Sequence, residues 1–395
     1  MTENNRNNTL ILESGYSGHR SEYIIHIMQF INEQPNLYGK YVFILNEQIV
    51  TLLGDLAASE NYYIKCFEFD RDYRNSISRS FYEWQLIAEW IDAHDRTVNE
   101  IIFMSVDEYL ILITTKRFKK YQLSVKGILF QPYVHYKGTV GDRNLIKNYV
   151  LQRYAAFLNS EINQLYILND KQAVERMNLN IKNIYAYLPD PIESSPNIMD
   201  ASIHEEVASN YGLDQKKKIL LMFGMIDDRK NLINIIDALR LLPDEIKESV
   251  HLLVIGKLNK AVRDKYLSYI SNHKHEVNIT FNDTFVSEEE REVLFTYCDI
   301  VLMPYINFYS SSGILGHAIK HQKSIVASNK GLVGRVVKEN NLGLAVDPLK
   351  PEEIKSAICQ LINNFEGYQY ESALYLREHS PINFSKTLLS FNYQS

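Results

Sequence analysis

The stretch "ILLMFGMIDDRKNLINII", Ile219 to Ile236, passes from an unbroken apolar run through a glycine turn and a charged loop into a segment of a different period. Leu232, Ile235 and Ile236, with Leu239 just beyond, recur at helical spacing, so a strand gives way to a helix with one buried face. An apolar run that does not alternate suits a strand buried on both sides, as in a parallel sheet. The same alternation continues downstream. "VHLLVIG" (250 to 256), "VNITFN" (277 to 282), "DIVLMPY" (299 to 305), "SIVAS" (324 to 328) and "GLAVD" (343 to 347) read as strands, with helix-length segments between them. Ser287 with Glu290 forms a capping-box start to "EEEREVLFTYC".

Upstream the pattern has already run once. "TLILES" (9 to 14), "YVFILN" (41 to 46), "YIKCFEF" (63 to 69), "EIIFMSV" (100 to 106), "GILFQPY" (127 to 133), "QLYILN" (164 to 169) and "NIYAYLP" (183 to 189) are strand candidates. Between the first two, Ile24, Ile27, Met28 and Ile31 mark a helix with one apolar stripe. The series stops at 190 to 218, which is rich in turn residues and contains no strand, so it reads as the crossing between two domains. The expected class is α/β, with two doubly wound domains. The expected division is 1–190, a linker at 191–216, a second domain at 217–365, and a helical segment at 366–395 that packs back on either domain. Such sheets bind ligands beyond the carboxyl ends of their strands, and a cleft is expected there.

With 395 residues, 46% hydrophobic and 23% charged, the chain is that of a folded globular protein. A net charge of -6 argues against a protein that coats nucleic acid. No apolar run reaches the roughly 18 to 20 residues of a membrane span, and "MTENNRNNTL" has no signal-peptide core, so a cytoplasmic location is expected. Cys66, Cys298 and Cys359 stand far apart and suggest neither a zinc site nor disulfides; all three read as small buried residues.

Three loops could carry chemistry. In "ESGYSGHRSEYI", Gly15 and Gly18 flank a turn that opens into a helix, with His19 and Arg20 at the turn; either a ligand approaches the backbone or these are plain turn glycines beside solvated side chains. In "FGMIDDRKNLINII", Arg229 and Lys230 precede a helix whose start disfavours cations. Either an anion such as a diphosphate offsets them, or they reach solvent or pair with Asp227 and Asp228. In "PYINFYSSSGILGHAIKHQ", the amides of Ser311, Ser312 and Gly313 would point out of a helix start, with Ile314 next in line. That helix would bury Ile314, Leu315, Ala318 and Ile319 and leave His317 and Lys320 on its other side, where His317 is either a site residue or a surface histidine. Asp70 and Asp72 in "FEFDRDYR" imitate a metal-binding pair, but exposed loop aspartates fit the two-series architecture better, and no metal is expected.

Together these pieces resemble the donor domain of retaining glycosyltransferases of family 4, which have the GT-B fold. The likeness runs from Lys217 to Asn364 and is weaker elsewhere. It implies that Lys230 and Arg229 hold the donor diphosphate, although the family's arginine after the glycine is here Met225. "NDTFVSEEEREVLFTYCDIVLMPY" is similar to the family's base-binding segment, which implies Thr284 and Phe285 beside the nucleobase. The family's two glutamates, eight residues apart, fall on Tyr309, near the donor sugar, and His317, facing the ribose. Both glutamates are absent, and an imidazole offers one acceptor where a carboxylate offers two oxygens. "KSIVASNKGLVGRVVKENNLGLAVDP" and "YLPDP" continue the likeness, and Gly15 and Gly18 look like its amino-terminal glycine pair.

The resemblance implies a hexosyltransferase that moves sugar from a UDP- or GDP-sugar to a glycan or lipid-linked acceptor in surface polysaccharide or glycoconjugate biosynthesis. Retention, no metal, and diphosphate held by Arg229, Lys230, Gly18 and the Ser311 to Ile314 turn are expected. Domain closure is expected to exclude water. An epimerase or phosphorylase of the same fold, or a sugar-nucleotide-binding protein without catalysis, stays open. Gly15, His19 and Tyr309 are candidates for donor sugar or acceptor, as are Tyr133 and His135 near Arg143. The basic run "KRFKKYQ", 116 to 122, is either a solvated helix end or a contact with the inner face of an anionic membrane.

Overall fold

The computed structural model describes residues 8–16, 20–69, 75–94, 98–130, 132, 143–193, 200–214, 216–363 and 372–390. Each strand segment read from the sequence is a strand. The first sheet contains β1 (Asn8–Glu13), β2 (Tyr41–Asn46), β3 (Tyr63–Phe67), β4 (Val98–Phe103), β5 (Ser124–Leu129), β6 (Ile162–Leu168) and β7 (Tyr185–Leu188), in the order β3-β2-β1-β4-β5-β6-β7. The second contains β8 (Lys218–Phe223), β9 (Val250–Ile255), β10 (Ile279–Asn282), β11 (Ile300–Met303), β12 (Ser324–Ser328) and β13 (Gly343–Val346), in the order β10-β9-β8-β11-β12-β13. Every ladder between the described strands is parallel, so each return to the sheet needs a crossover, and the crossovers are mostly helices.

Both orders run outward from the first strand one way and then reverse, between β1 and β4 and between β8 and β11. The loops leaving the two strands at such a reversal diverge to opposite faces and leave room for a ligand. In the second sheet the register Ile300↔Leu220 and Val301↔Leu221 fixes which loops these are: those after Phe223 and after Met303.

The chain divides into two compact units, residues 1–191 with 381–395 and residues 192–380. Each has apolar clusters on both faces of its sheet. Ile24, Ile27, Met28 and Ile31 are fully buried in the first unit, as are Leu232, Ile235, Ile236 and Leu239 in the second. The Ser287 capping box forms in both directions, with Glu290 N donating to Ser287 Oγ at 3.1 Å and Ser287 N to Glu290 Oε2 at 2.8 Å.

Three details differ from the sequence reading. Ala201–Tyr211, inside the stretch read as a crossing, is a helix of the second unit that packs Val207 and Tyr211 into its core. The carboxyl-terminal segment is two helices, Ser372–Glu378 in the second unit and Pro381–Leu388 in the first. Cys66 is exposed, because β3 is an edge strand; Cys298 is buried and Cys359 half-buried.

Candidate functional site

The site in the second unit is built at its sheet reversal. β8 ends at Phe223, and Gly224 follows with φ +96, while Gly256 after β9 has φ +139. A Cβ on Gly256 would lie 2.0 Å from the Gly224 carbonyl oxygen, so only glycine lets these two backbones approach. The chain then makes a turn at Asp228–Lys230 and passes through Asn231 in the left-handed region, φ 65. Asn231 Nδ2 donates to the carbonyls of Pro304 at 3.0 Å and Pro348 at 2.6 Å, and Ile306 N donates to Arg229 O at 2.9 Å. The loops after β8, β11 and β13 are thereby tied together.

That stitching turns the two cations in different directions. Lys230 is only 3% exposed and folds back onto the strand end, where Nζ donates to Phe223 O and to the Tyr305 hydroxyl, each at 2.7 Å. Burial, then the adjacent Arg229 charge, pull its ammonium down to about 7, with Asp227 opposing. Burial pushes the Tyr305 phenol up, while Arg229 and a side-chain hydrogen bond with Ser312 oppose the rise. Arg229 lies with its guanidinium 4.7 Å from the Phe308 ring centre and 5.9 Å from that of Tyr305, and its Nε is 3.5 Å from Asp227 Oδ1. Asp228 is engaged elsewhere, with Lys265 at 3.1 Å and the Tyr266 hydroxyl at 3.2 Å. Neither cation simply reaches solvent, and Lys230 hydrogen-bonds to neither aspartate.

The helix Gly313–Lys320 starts beside this lysine. Ser312 caps it in extended conformation without using its side chain on the helix, which leaves the first amides unclaimed by a side-chain cap. A Cβ built on Gly224 would meet Lys230 Nζ and Ile314 Cδ1, each at 3.6 Å, so both groups converge on the same glycine. Ser311, Ser312, Gly313 and Ile314 are half-buried. His317 is also half-buried, its ring 5.4 Å from that of Phe295, which meets Phe223 edge-on at 5.4 Å. His317 therefore lies against a packed aromatic column and is not a free surface histidine.

Lys320 departs from the expected pattern. It is buried, because Glu292, itself buried, stands 3.0 Å away and also receives His321 at 3.1 Å. Burial would raise the Glu292 carboxyl, but the bonds from His321 and Lys320 win and hold it below the usual range. Thr284 and Phe285 follow β10, two strands from β8, and Thr284 Oγ1 donates to Asn282 Oδ1 at 2.7 Å. Phe285 is 78% exposed. Among the described residues neither one hydrogen-bonds or stacks with Lys230, Arg229 or His317. Tyr309 is partly exposed, on a loop pressed by Gly331: a Cβ there, at φ +92, would meet Phe308 O at 2.2 Å.

In the first unit the reversal between β1 and β4 holds a charge network. Glu13 accepts from Gly15 N and Arg20 Nη1, each at 2.7 Å, and Arg20 Nη2 reaches Glu108 at 2.9 Å. Arg79 pairs with Glu83 and Glu108, and Tyr109 bonds Glu83 and Ser14. Arg20 is thus an ion-paired residue and not a solvated one. Gly18, His19, Tyr133, His135, Asp70 and Asp72 lie outside the described residues, as does the Arg143 side chain. Sequence reasoning missed Tyr305 and Asn231. The signal for Tyr305 was its position directly after an apolar strand at the reversal; for Asn231 it was an asparagine between a charged loop and a helical stripe, a common left-handed residue.

Against known proteins, the family model described as "Glycosyl transferases group 1" matches residues 204–373. Those residues carry a group 1 glycosyltransferase domain. No curated protein sequence matches the chain. Among solved structures, it resembles Anabaena Alr3699/HepE in complex with UDP and glucose at a TM-score of 0.71 and 12% identity, over 98% of each chain. It resembles a glycosyltransferase from Rickettsia africae at 0.68 and 14% identity, over 98% of this chain and 100% of that one. The sucrose-phosphate synthase of Thermosynechococcus elongatus matches at 0.68 and 11% identity, over 98% and 96%. At these identities the likeness shows the fold, which is GT-B, with two Rossmann-like domains. With its group 1 domain, the chain is a glycosyltransferase of class 2.4.

Proposed function

We propose that the protein is a retaining hexosyltransferase of family 4 that takes a UDP- or GDP-sugar and transfers the hexose to a hydroxyl of a glycan or lipid-linked acceptor. The observation that carries the donor half is the convergence of buried Lys230, stacked Arg229 and the start of helix Gly313–Lys320 at the β8/β11 reversal. Similar structures bound to UDP and to UDP-glucose support a nucleotide sugar as the donor. Cleaving the anomeric bond leaves negative charge on the departing diphosphate and oxocarbenium character on the sugar. Arg229, Lys230 and the amides from Ser311 to Ile314 stabilise the former, each well-aimed donor contributing on the order of 2.7 to 4 kcal/mol. The diphosphate then accepts the acceptor's proton as its oxygen attacks from the same face, which retains the configuration.

His317 faces the ribose in this scheme, Thr284 and Phe285 the base, and Tyr309 the donor sugar, with Gly18 at the diphosphate and Gly15, His19, Tyr133 and His135 left for donor sugar or acceptor. The protein works in surface polysaccharide or glycoconjugate synthesis on the cytoplasmic side. The scheme assigns charge neutralisation to protein cations and to no metal, so turnover should survive EDTA. Lys230→Ala should cut turnover by roughly 10²–10³ while the far-UV spectrum stays unchanged. Nucleotide release from a panel of UDP-, GDP- and ADP-sugars, with and without acceptor, checks this. Near-normal turnover of the variant would end the assignment, and binding without any release would point to a non-catalytic nucleotide-sugar binder.

A further inference from the structure

The helix Arg143–Leu158 is inside out at its carboxyl-terminal end. Val150, Tyr154, Phe157 and Leu158 are 44%, 62%, 77% and 55% exposed, whereas Gln152, Ala155, Ala156 and the following Asn159 are buried. At 100° per residue the four exposed side chains fall within about 100° of arc, so they form one contiguous apolar face turned to solvent. The fully buried side chains of this end are small or polar, with Leu151 half-buried against the core at the edge of that face. A helix that buries alanine, glutamine and asparagine while presenting phenylalanine, tyrosine, leucine and valine has its apolar face reserved for something outside the unit.

The basic run lies at the end of that face. Lys116–Lys119 is a short helix in which Phe118 is buried and holds the turn in place, while Lys116, Arg117 and, just after it, Lys120 are exposed. Lys119 Nζ donates to the Leu158 carbonyl at 3.2 Å, which joins the basic turn directly to the last residue of the apolar helix. Glu161, the adjoining acid, is half-buried and stands 4.0 Å from Lys119 Nζ. Cations bordering exposed apolar and aromatic side chains match the headgroup and acyl boundary of an anionic leaflet: the apolar face enters, the tyrosine sits at the interface, and the long basic side chains reach the headgroups. A symmetric contact with a second copy through this face would bring the same patch, basic turn included, against itself, with like charge close to like charge.

We propose that Val150, Tyr154, Phe157 and Leu158, together with Lys116, Arg117 and Lys120, form a peripheral docking surface for an anionic lipid bilayer. This goes beyond the transfer reaction and stands or falls separately from it, because its test contains neither donor nor acceptor. The full chain is sedimented with vesicles of phosphatidylcholine alone and of phosphatidylcholine mixed with phosphatidylglycerol, at rising salt. Binding is expected to the anionic vesicles and to weaken as salt increases. Phe157→Glu and the double variant Lys116→Glu/Arg117→Glu should each weaken it by about tenfold or more, without moving the thermal melt. The proposal is overturned if the wild type stays in the supernatant with anionic vesicles, or if both variants bind as the wild type does. It is equally overturned if the protein self-associates in sedimentation equilibrium, loses that on Phe157→Glu, and ignores vesicles, since the occupant would then be a second copy.

Discussion

Lys230 shows how much a single residue's surroundings decide. In the unfolded chain its ammonium titrates near the ordinary 10.5; folded, burial and then Arg229 bring it down to about 7. Below about 7 both states are charged and the folded state carries the full cost of a buried cation. Between 7 and 10.5 the unfolded chain keeps a proton that the folded chain has released, so this residue's contribution to stability rises with pH across that window. The melting temperature of the wild type minus that of Lys230→Met should therefore be lowest below pH 7 and climb above it. A diphosphate reverses the preference, because it stabilises the charged form, so UDP binding should take up a proton and weaken as pH rises through about 7. Tyr305→Phe removes one of the two acceptors at Nζ and should move that midpoint lower. Calorimetric titrations across the window check both, and UDP affinity equally flat in wild type and Lys230→Met would show that this ammonium does not meet the phosphates. None of this was visible in the sequence, where Arg229 and Lys230 are merely adjacent cations. The burial depends on Tyr305, seventy-five positions away.

At the scale of elements, the strands were legible and the packing partners were not. An unbroken apolar run bounded by glycine is a local signal, which is why "ILLMFG" and "SIVAS" predicted β8 and β12 to within a residue. Lys320 was misread because its local pattern places it off the apolar stripe, whereas its burial depends on Glu292 from a helix that precedes β11. Ala201–Tyr211 was passed over because its flanks are turn-rich, yet Val207 and Tyr211 have a core to enter. Glycines at loop mouths fall in between: Gly224 was seen as a turn residue, but its contact with Gly256 is tertiary. Gly256→Ala combines a left-handed backbone with a Cβ 2.0 Å from the Gly224 oxygen, so it should destabilise the second unit by roughly 2 to 4 kcal/mol. It should also displace the loop that carries Lys230. Urea unfolding followed by circular dichroism measures the first effect and UDP affinity the second. A variant as stable as the wild type would mean that the two strand ends can part without cost.

For the whole molecule, the decisive step is the chain's return. The main chain leaves the first unit at Pro191 and re-enters it at Pro381, and inside the second unit Ile192 N donates to His379 O at 2.7 Å, so the outgoing and returning strands are tied side by side. The helix Pro381–Leu388 then completes the first unit's core. Phe384 and Leu388 are fully buried there, the Phe384 ring lies 4.9 Å from that of Tyr23, and the Tyr166 hydroxyl reaches the carbonyls of Thr387 at 3.1 Å and Leu388 at 3.3 Å. Ending the chain at Ser380 uncovers two large apolar contacts of about 1.5–3 kcal/mol each and strips the Tyr166 hydroxyl of its partners. The loss, roughly 3 to 6 kcal/mol, is a large share of the 5–15 kcal/mol typical of a folded domain. Both tryptophans of the chain, Trp84 and Trp90, belong to the first unit, so tryptophan fluorescence follows that unit alone. The truncated chain should show a fluorescence transition at much lower urea, or none because the first unit is already unfolded, while UDP binding at the second unit persists. A fluorescence transition unmoved by the truncation would show that the first unit closes its core without the returning helix.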